Sequence, residues 1–245
     1  MFKRNSFQIV LILFLFISAI SCTKEEGKGG VASITGVVKI QNIDYFLKNV
    51  GSAAIAKDFD VYIKYGDSEN VSDKIETSDE GVFTFNYLTP GDYTVYVFSD
   101  DTTVYKAQYE ITINKMLTIS DKKETIDLGE IMVYKQLEVN DGVAQVCGNV
   151  REINYINGTK FPLDTIAAQD KDLYLMYGDT TFFELKTATH YDGSFCFTNL
   201  IPGKYKVYTL SEQLLSTEDI PVFMTFEITD STKSIQLAPV YISNY

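Results

Sequence analysis

The stretch DEGVFTFNYLTPGDYTVYVFS, Asp79 to Ser99, decides the fold, and it returns 112 residues later as YDGSFCFTNLIPGKYKVYTLS, Tyr191 to Ser211, without a gap. Phe83 and Phe85 alternate with Val82 and Thr84, so both rings leave one face of a strand. Gly81 suits a tight opening turn. Thr89-Pro90-Gly91-Asp92 has the residues of a type II turn, with proline presetting φ at the second position and glycine supplying the positive φ at the third. Tyr93, Val95 and Val97 alternate on the next strand. The pattern predicts a hairpin with one apolar face. A lone hairpin is unstable in water, so the rest of each repeat must supply a second sheet to cover it.

Working outward, the 112-residue offset also joins Gly36 to Gly148, Asp60 to Asp172 and Tyr65-Gly66-Asp67 to Tyr177-Gly178-Asp179. An ungapped match of that length marks an internal duplication. The 245 residues therefore divide into two domains, 31–135 and 136–245, each long enough to bury its own core. In the first, strands are expected at Ile34–Val38, Asp60–Tyr65, Val71–Thr77, Gly81–Leu88, Tyr93–Ser99, Val104–Ile113 and Ile126–Tyr134. Gln41 to Lys57 reads as a long connection with a short helical turn around Tyr45-Phe46-Leu47. In the second, strands begin near Val143, Lys171, Phe182, Gly193, Lys204, Val222 and Ser234. About seven short strands with turn signals between them predict an all-β fold of two tandem seven-stranded antiparallel β-sandwiches, transthyretin-like or immunoglobulin-like. Lys135 to Gly142 reads as a short polar linker, brief enough for a semi-rigid pair.

Ahead of the repeats, residues 1–21 read as a secretory signal peptide. Lys3 and Arg4 are its charged start, and Phe7 to Ile20 is an apolar run too short to span a membrane comfortably. Ala19-Ile20-Ser21 before Cys22 resembles a bacterial lipobox, a motif that implies acylation of Cys22 as the new N-terminus, with Ala19 where leucine is usual. Acyl chains supply the membrane anchor. Thr23-Lys24-Glu25-Glu26 resembles the surface-export signal of Bacteroidota lipoproteins. Residues 22–30, ending Gly27-Lys28-Gly29-Gly30, read as a solvated tether.

The spacing Gly36-x-Val38, Val61-x-Ile63, Gly81-x-Phe83-x-Phe85 and Leu88-x-Pro90-Gly91-x-Tyr93-x-Val95, carried by both repeats, resembles the carboxypeptidase regulatory-like family. That resemblance implies a transthyretin-like, or prealbumin-like, sandwich and says little of function, since one fold hosts many. The first connection departs from the family's pattern, with only Phe161-Pro162-Leu163 echoing its usual turn.

Chemistry is sparse. The formal net charge is −12, or −14 once Lys3 and Arg4 are removed, which disfavours nucleic acid as a partner. The one histidine, His190, cannot build a histidine-rich zinc site, and no serine elbow, P-loop or dinucleotide fingerprint appears. No catalytic residue, metal site or cofactor is expected, and the chain is not expected to be an enzyme. Asp67, Asp79-Glu80, Asp100-Asp101, Asp179 and Asp192 sit at turns, where solvated carboxylates are commoner than calcium ligands. Cys147 and Cys196 lie on the outward side of their strands, where repeat one has Thr35 and Thr84. They pair as a disulfide if those strands are neighbours, and otherwise remain free thiols. Asp101-Thr102-Thr103, Asp164-Thr165-Ile166, Asp179-Thr180-Thr181 and Asp230-Ser231-Thr232 resemble the short O-glycosylation motif of Bacteroidota.

Aromatics carry the recognition signal. The chain has 17 tyrosines and 16 phenylalanines but no tryptophan. Tyr62, Tyr96, Tyr174 and Tyr208 fall on the outward side of their strands, where they would stack on sugar rings, anchor a protein or pair across strands. The expectation is a non-catalytic, lipid-anchored outer-membrane protein facing outward, a structural or interaction module of an envelope complex with a protein partner. A carbohydrate-binding lipoprotein of a glycan-uptake system, with a polysaccharide ligand, and an adhesin or pilus-like subunit are the alternatives.

Overall fold

The computed structural model describes residues 26–245, so the signal peptide and Cys22 lie outside the described residues. Among those described there are strands and turns but no α-helix. The first repeat holds β1 (Lys28–Ile43), β2 (Asn49–Ile55), β3 (Asp60–Tyr65), β4 (Asp73–Glu76), β5 (Val82–Leu88), β6 (Gly91–Ser99), β7 (Ile111–Ile119) and β8 (Thr125–Gln136). The second holds β9 (Ala144–Tyr155), β10 (Pro162–Ala167), β11 (Asp172–Tyr177), β12 (Leu185–Ala188), β13 (Ser194–Leu200), β14 (Gly203–Ser211), β15 (Ile220–Ile228), β16 (Ser234–Gln236) and β17 (Val240–Asn244).

Eight and nine strands replace the expected seven. The long connection is itself structured. β1 runs on to Ile43, turns, and returns as β2. The turn is not helical: the Asp44 carboxylate accepts the backbone N–H groups of Phe46 and Lys48, and Leu47 takes a left-handed φ of 58°. Residues 104–110, expected to open the strand Val104–Ile113, are a loop, and β7 starts at Ile111. Proline cannot donate to a ladder, and Pro239 lies in the gap between β16 and β17, where repeat one has the continuous β8. Both β16 and β17 pair with β9 in parallel, so the second repeat is not purely antiparallel.

The deciding stretch is not a hairpin. β5 pairs with β1, in the sheet β2-β1-β5 to which β8 also belongs. β6 lies in the other sheet, β4-β3-β6-β7. In repeat two, β13 pairs with β9 while β14 sits between β11 and β15. The chain therefore crosses from one sheet to the other at the Thr-Pro-Gly and Ile-Pro-Gly corners. The corner at Pro90 is a bend rather than a hydrogen-bonded turn, and Gly91 has φ 148°, far from the roughly +80° of a type II turn. Just before it, Tyr87 at φ 63° and Asn199 at φ 59° step each strand out of phase. Two exposed residues then stand together, and Leu88 and Leu200 return inward. The Tyr93 hydroxyl donates to the Thr89 carbonyl at 2.6 Å, and that of Tyr205 to the Ile201 carbonyl at 2.6 Å, fastening each corner to the next strand.

Two compact units result. Of the described residues, the first comprises those up to Lys39 with Ile55–Phe98 and Thr112–Ile131. Its buried residues alternate along each strand: Ile34 and Val38, Val61 and Ile63, Phe83 and Phe85, Tyr93, Val95 and Val97. The second comprises Ile40–Ala54, Ser99–Ile111 and Met132–Tyr245. Its core joins Val146, Val150, Phe195 and Phe197 from one sheet to Leu173, Leu175, Tyr205 and Val207 from the other, as two packed sheet faces require.

Neither the described end of the tether, residues 26–30, nor the linker is free chain. Lys28–Gly30 already belong to β1, and the Gly27 carbonyl accepts the Thr89 N–H at 2.9 Å. At the position 112 residues on, the Val139 carbonyl accepts the Ile201 N–H at 3.1 Å. Lys135 and Gln136 complete β8, and Leu137 and Val139 are buried in the second unit's core.

Candidate functional sites

The four outward tyrosines come together as two pairs. Tyr62 on β3 is the register partner of Tyr96 on β6, with rings stacked at 5.2 Å and 17°. Tyr174 on β11 is the partner of Tyr208 on β14, at 5.0 Å and 19°. Direct cross-strand neighbours stand close enough for such contact, and the stacking turns one face of each ring onto its partner.

The outer faces are also engaged. Lys64 lies over the Tyr96 ring at 5.5 Å, and Phe98 sets its edge against both Tyr62 and Tyr96. Tyr96 is consequently only 6% exposed, although its strand parity points it outward. In repeat two, Lys186 lies over Tyr174 at 5.3 Å, Phe183 meets Tyr174 at 60° and Phe223 meets Tyr208 at 50°. Phe183 and Phe223 are 47% and 52% exposed, so they carry the open aromatic surface.

A charged clasp borders each pair. The Tyr62 hydroxyl donates to Asp60 at 3.1 Å and Lys74 pairs with Asp60 at 2.8 Å. The Tyr174 hydroxyl donates to Asp172 at 3.2 Å and Lys186 pairs with Asp172 at 2.8 Å. The lysine bonds hold both carboxyls below the usual range, and burial followed by the Asp60 bond pushes the Tyr62 hydroxyl upward. The clasp lysines were legible in principle, because Lys74 and Lys186 also differ by 112. A strand was expected to begin near Phe182, but β12 starts at Leu185 and Phe183 lies in the irregular segment before it, so strand parity did not place its ring.

A third aromatic group lies within the second unit. Tyr177 is 3% exposed, and its hydroxyl donates to Asp44 at 2.9 Å and to the Pro202 carbonyl at 3.2 Å. Burial, then the Asp44 charge, drives this hydroxyl far above its ordinary range. Tyr45 gathers Phe46, Tyr105 and Phe182 around it at 4.9–5.9 Å. The repeat-one counterpart of Tyr177 is Tyr65, whose buried hydroxyl has no hydrogen-bond partner among the described residues.

Cys147 and Cys196 are register partners on β9 and β13, with sulfurs 2.04 Å apart in a disulfide. Thr35 and Thr84 occupy the matching positions and share a hydrogen bond of 3.1 Å. The turn carboxylates are engaged within the chain: Asp101 accepts from Thr103 and Asp192 from Ser194 in their own turns, while Asp79 pairs with Lys57 at 2.6 Å and Asp100 accepts from the Gln136 N–H. Among the described residues no group of three or more His, Cys, Asp or Glu could hold a metal ion. His190 sits in a turn, its N–H bonded to the Ser194 carbonyl at 2.8 Å. Among the described residues no helix is long and apolar enough to cross a membrane.

Residues 35–127 match the family model for the second β-sandwich domain of BOS complex subunit NOMO1-like proteins, a span under half of the chain. No curated protein matches the chain. Among solved structures, it is similar to the Bacillus anthracis TIE protein at 15% identity, covering 88% of this chain and 34% of that one, with a TM-score of 0.30. It is similar to a streptococcal ancillary pilin at 14% identity, covering 84% and 62%, with a TM-score of 0.28. A third is the minor pilin GBS52 of Streptococcus agalactiae, at 10% identity, 87% and 96% coverage and a TM-score of 0.30. The chain thus spans about a third of the first and less than two thirds of the second. The family match over repeat one and the topology of the described residues agree on a β-sandwich domain.

Proposed function

We propose that this is a non-catalytic envelope protein, anchored by lipid on Cys22 and displayed outward, whose two sandwiches serve as a structural and protein-interaction module. The observation that carries this reading is what the duplication repeats. Positions kept at the 112-residue offset build the scaffold: stacked tyrosines, their Asp–Lys clasps and the Tyr93 and Tyr205 corner bonds. The exposed grooves beside Gly66 and Gly178 keep their place but change their chemistry. Asp92 and Thr94 line the first where Lys204 and Lys206 line the second. Asp67 and Asp179, with the buried Tyr93 and Tyr205, recur in the two grooves, while the other polar side chains that line them differ. The resemblance to carboxypeptidase regulatory-like modules and to a Bacteroidota export signal supports the same reading.

The test combines metabolic labelling with an alkyne fatty acid, protease treatment of intact cells and crosslinking on those cells. Label lost in Cys22→Ala, cleavage from outside and a crosslinked envelope protein are expected. Label unaffected by Cys22→Ala would sink the anchor, and protease resistance the outward display.

One observation favours glycan binding as a second reading. Phe183 and Phe223 leave open ring surface on either side of the Tyr174–Tyr208 stack. A sugar would rest on these phenylalanines, since the tyrosine faces are already engaged. Polysaccharide retardation in affinity electrophoresis, abolished in the Phe183→Ala, Phe223→Ala double variant, checks it.

A further inference from the structure

The sheet β12-β11-β14-β15 ends on β15, and among the described residues no strand pairs with its outer edge. β15 is joined to β14 in unbroken register over nine residues, Gly203↔Ile228 to Ser211↔Ile220. The bond from Gly178 N–H to the Lys204 carbonyl fixes which way each residue turns. Even-numbered residues of β14 face β11, odd-numbered ones face β15, and in antiparallel pairing the alternation carries across. The even residues of β15 therefore bond to β14. Pro221, Phe223, Thr225 and Glu227 turn their backbone groups toward the free edge.

Sheet edges are usually blunted by charge, proline or a bulge. The corresponding terminal strand of repeat one, β7, has Lys115 at its centre. On β15 the central run Val222-Phe223-Met224-Thr225-Phe226 carries no charge, and its proline stands near one end. Val222, Met224 and Phe226 pack against the core yet stay only partly buried, and Phe223 on the other side is 52% exposed.

We propose that β15 is a pairing edge for a second copy of this chain, joined antiparallel about a twofold axis at Met224. In that register Ile220 meets Ile228, Val222 meets Phe226 and Met224 meets its own counterpart, so the inward face is apolar throughout. On the outward face Phe223 meets Thr225, and Pro221 meets Glu227. Only Pro221 lacks a donor, and no like charges oppose one another. Electrostatics favour this place over the rest of an acidic chain of net charge −12. Lys204 is the register partner of Glu227, and Lys206 lies 3.6 Å from Asp179, leaving the patch balanced. This deepens the interaction-module reading by naming one partner. Its failure would leave the anchoring and display experiments untouched.

The test uses the full chain purified in detergent. Met224→Cys should form an interchain disulfide under mild oxidation, absent from the parent chain, because non-hydrogen-bonded partners stand about 4.5 Å apart. Thr225→Pro removes a donor that faces the edge and no bond to β14. It should keep the parent circular dichroism spectrum while weakening dimerisation at least tenfold by analytical ultracentrifugation. A parent chain that stays monomeric, together with a Met224→Cys variant that forms no interchain disulfide, overturns the proposal. So does a dimer that Thr225→Pro leaves unchanged.

Discussion

Tyr65 and Tyr177 occupy the same position in the two repeats and differ in one respect, whether the hydroxyl has found an acceptor. Asp44 supplies it for Tyr177, while the Tyr65 oxygen is buried without one among the described residues. A buried hydrogen bond to a charged group contributes about 1.5–3 kcal/mol, and an unpaired buried polar atom costs a similar amount. Tyr177→Phe should therefore lower unfolding free energy in urea by about 2 kcal/mol. Tyr65→Phe should be neutral or stabilising. The same tyrosines set an alkaline limit. Burial raises the hydroxyls of Tyr177 and Tyr205 above their ordinary 10.0, so the folded state holds those protons more tightly than the unfolded chain. Their contribution is complete below pH 10 and declines as pH rises past it. Melting temperature should fall steeply above that point, and less steeply in Tyr177→Phe relative to its own value at pH 8. Asp44 pairing with Tyr177 could not be read from the sequence, because their 133-residue separation is set by topology and the repeated Tyr-Gly-Asp tripeptide names no partner for the tyrosine. Strand parity put Tyr62 and Tyr96 on one side of their strands and left cross-strand pairing as one of several readings, and it did not foresee that Lys64 and Phe98 would cover Tyr96.

Among the elements, the Pro-Gly corner is where sequence and structure part. Alternation says which side of a strand meets the core. It does not say which of two facing sheets the strand joins, because both present an apolar inner face. Phe83 and Tyr93 were thus assigned correctly to the core and wrongly to one hairpin. The corner's glycines are unequal. A Cβ on Gly203 would stand 2.4 Å from the Tyr177 ring, which is buried, whereas on Gly91 it would meet the side chain of Glu26, which is exposed. Both have φ near 150°, so each alanine variant bears backbone strain of about 1–3 kcal/mol. Gly203→Ala should be the more destabilising in chemical denaturation, because its obstacle cannot move aside. On the opposite sheet, the disulfide spans 49 residues and so limits the unfolded chain by about 4 kcal/mol in the loop-closure picture. Replacing both cysteines by threonine copies the Thr35–Thr84 pair. The variant should keep its fold and lose stability by about 2–4 kcal/mol in a urea titration.

For the whole molecule, the duplication was legible because it preserved spacing without gaps up to Ser211. The boundary between the halves was not, because Leu137 and Val139 sit in a segment that reads as polar linker. The same misreading affected the segment before repeat one, and there it has a physical consequence. Among the described residues, the chain is already bonded to the body at Gly27, whose carbonyl accepts from Thr89. Under the lipid attachment at Cys22 proposed above, five residue steps would separate lipid and body, a leash of at most about 18 Å fully extended. A body on so short a leash cannot roam. It sweeps a shallow cap of space over the bilayer, and any partner must come to it within that layer. Lengthening the leash with ten Gly-Ser residues between Glu26 and Gly27 should leave stability unchanged. It should also speed protease cleavage on intact cells and reduce capture of membrane-proximal partners in crosslinking.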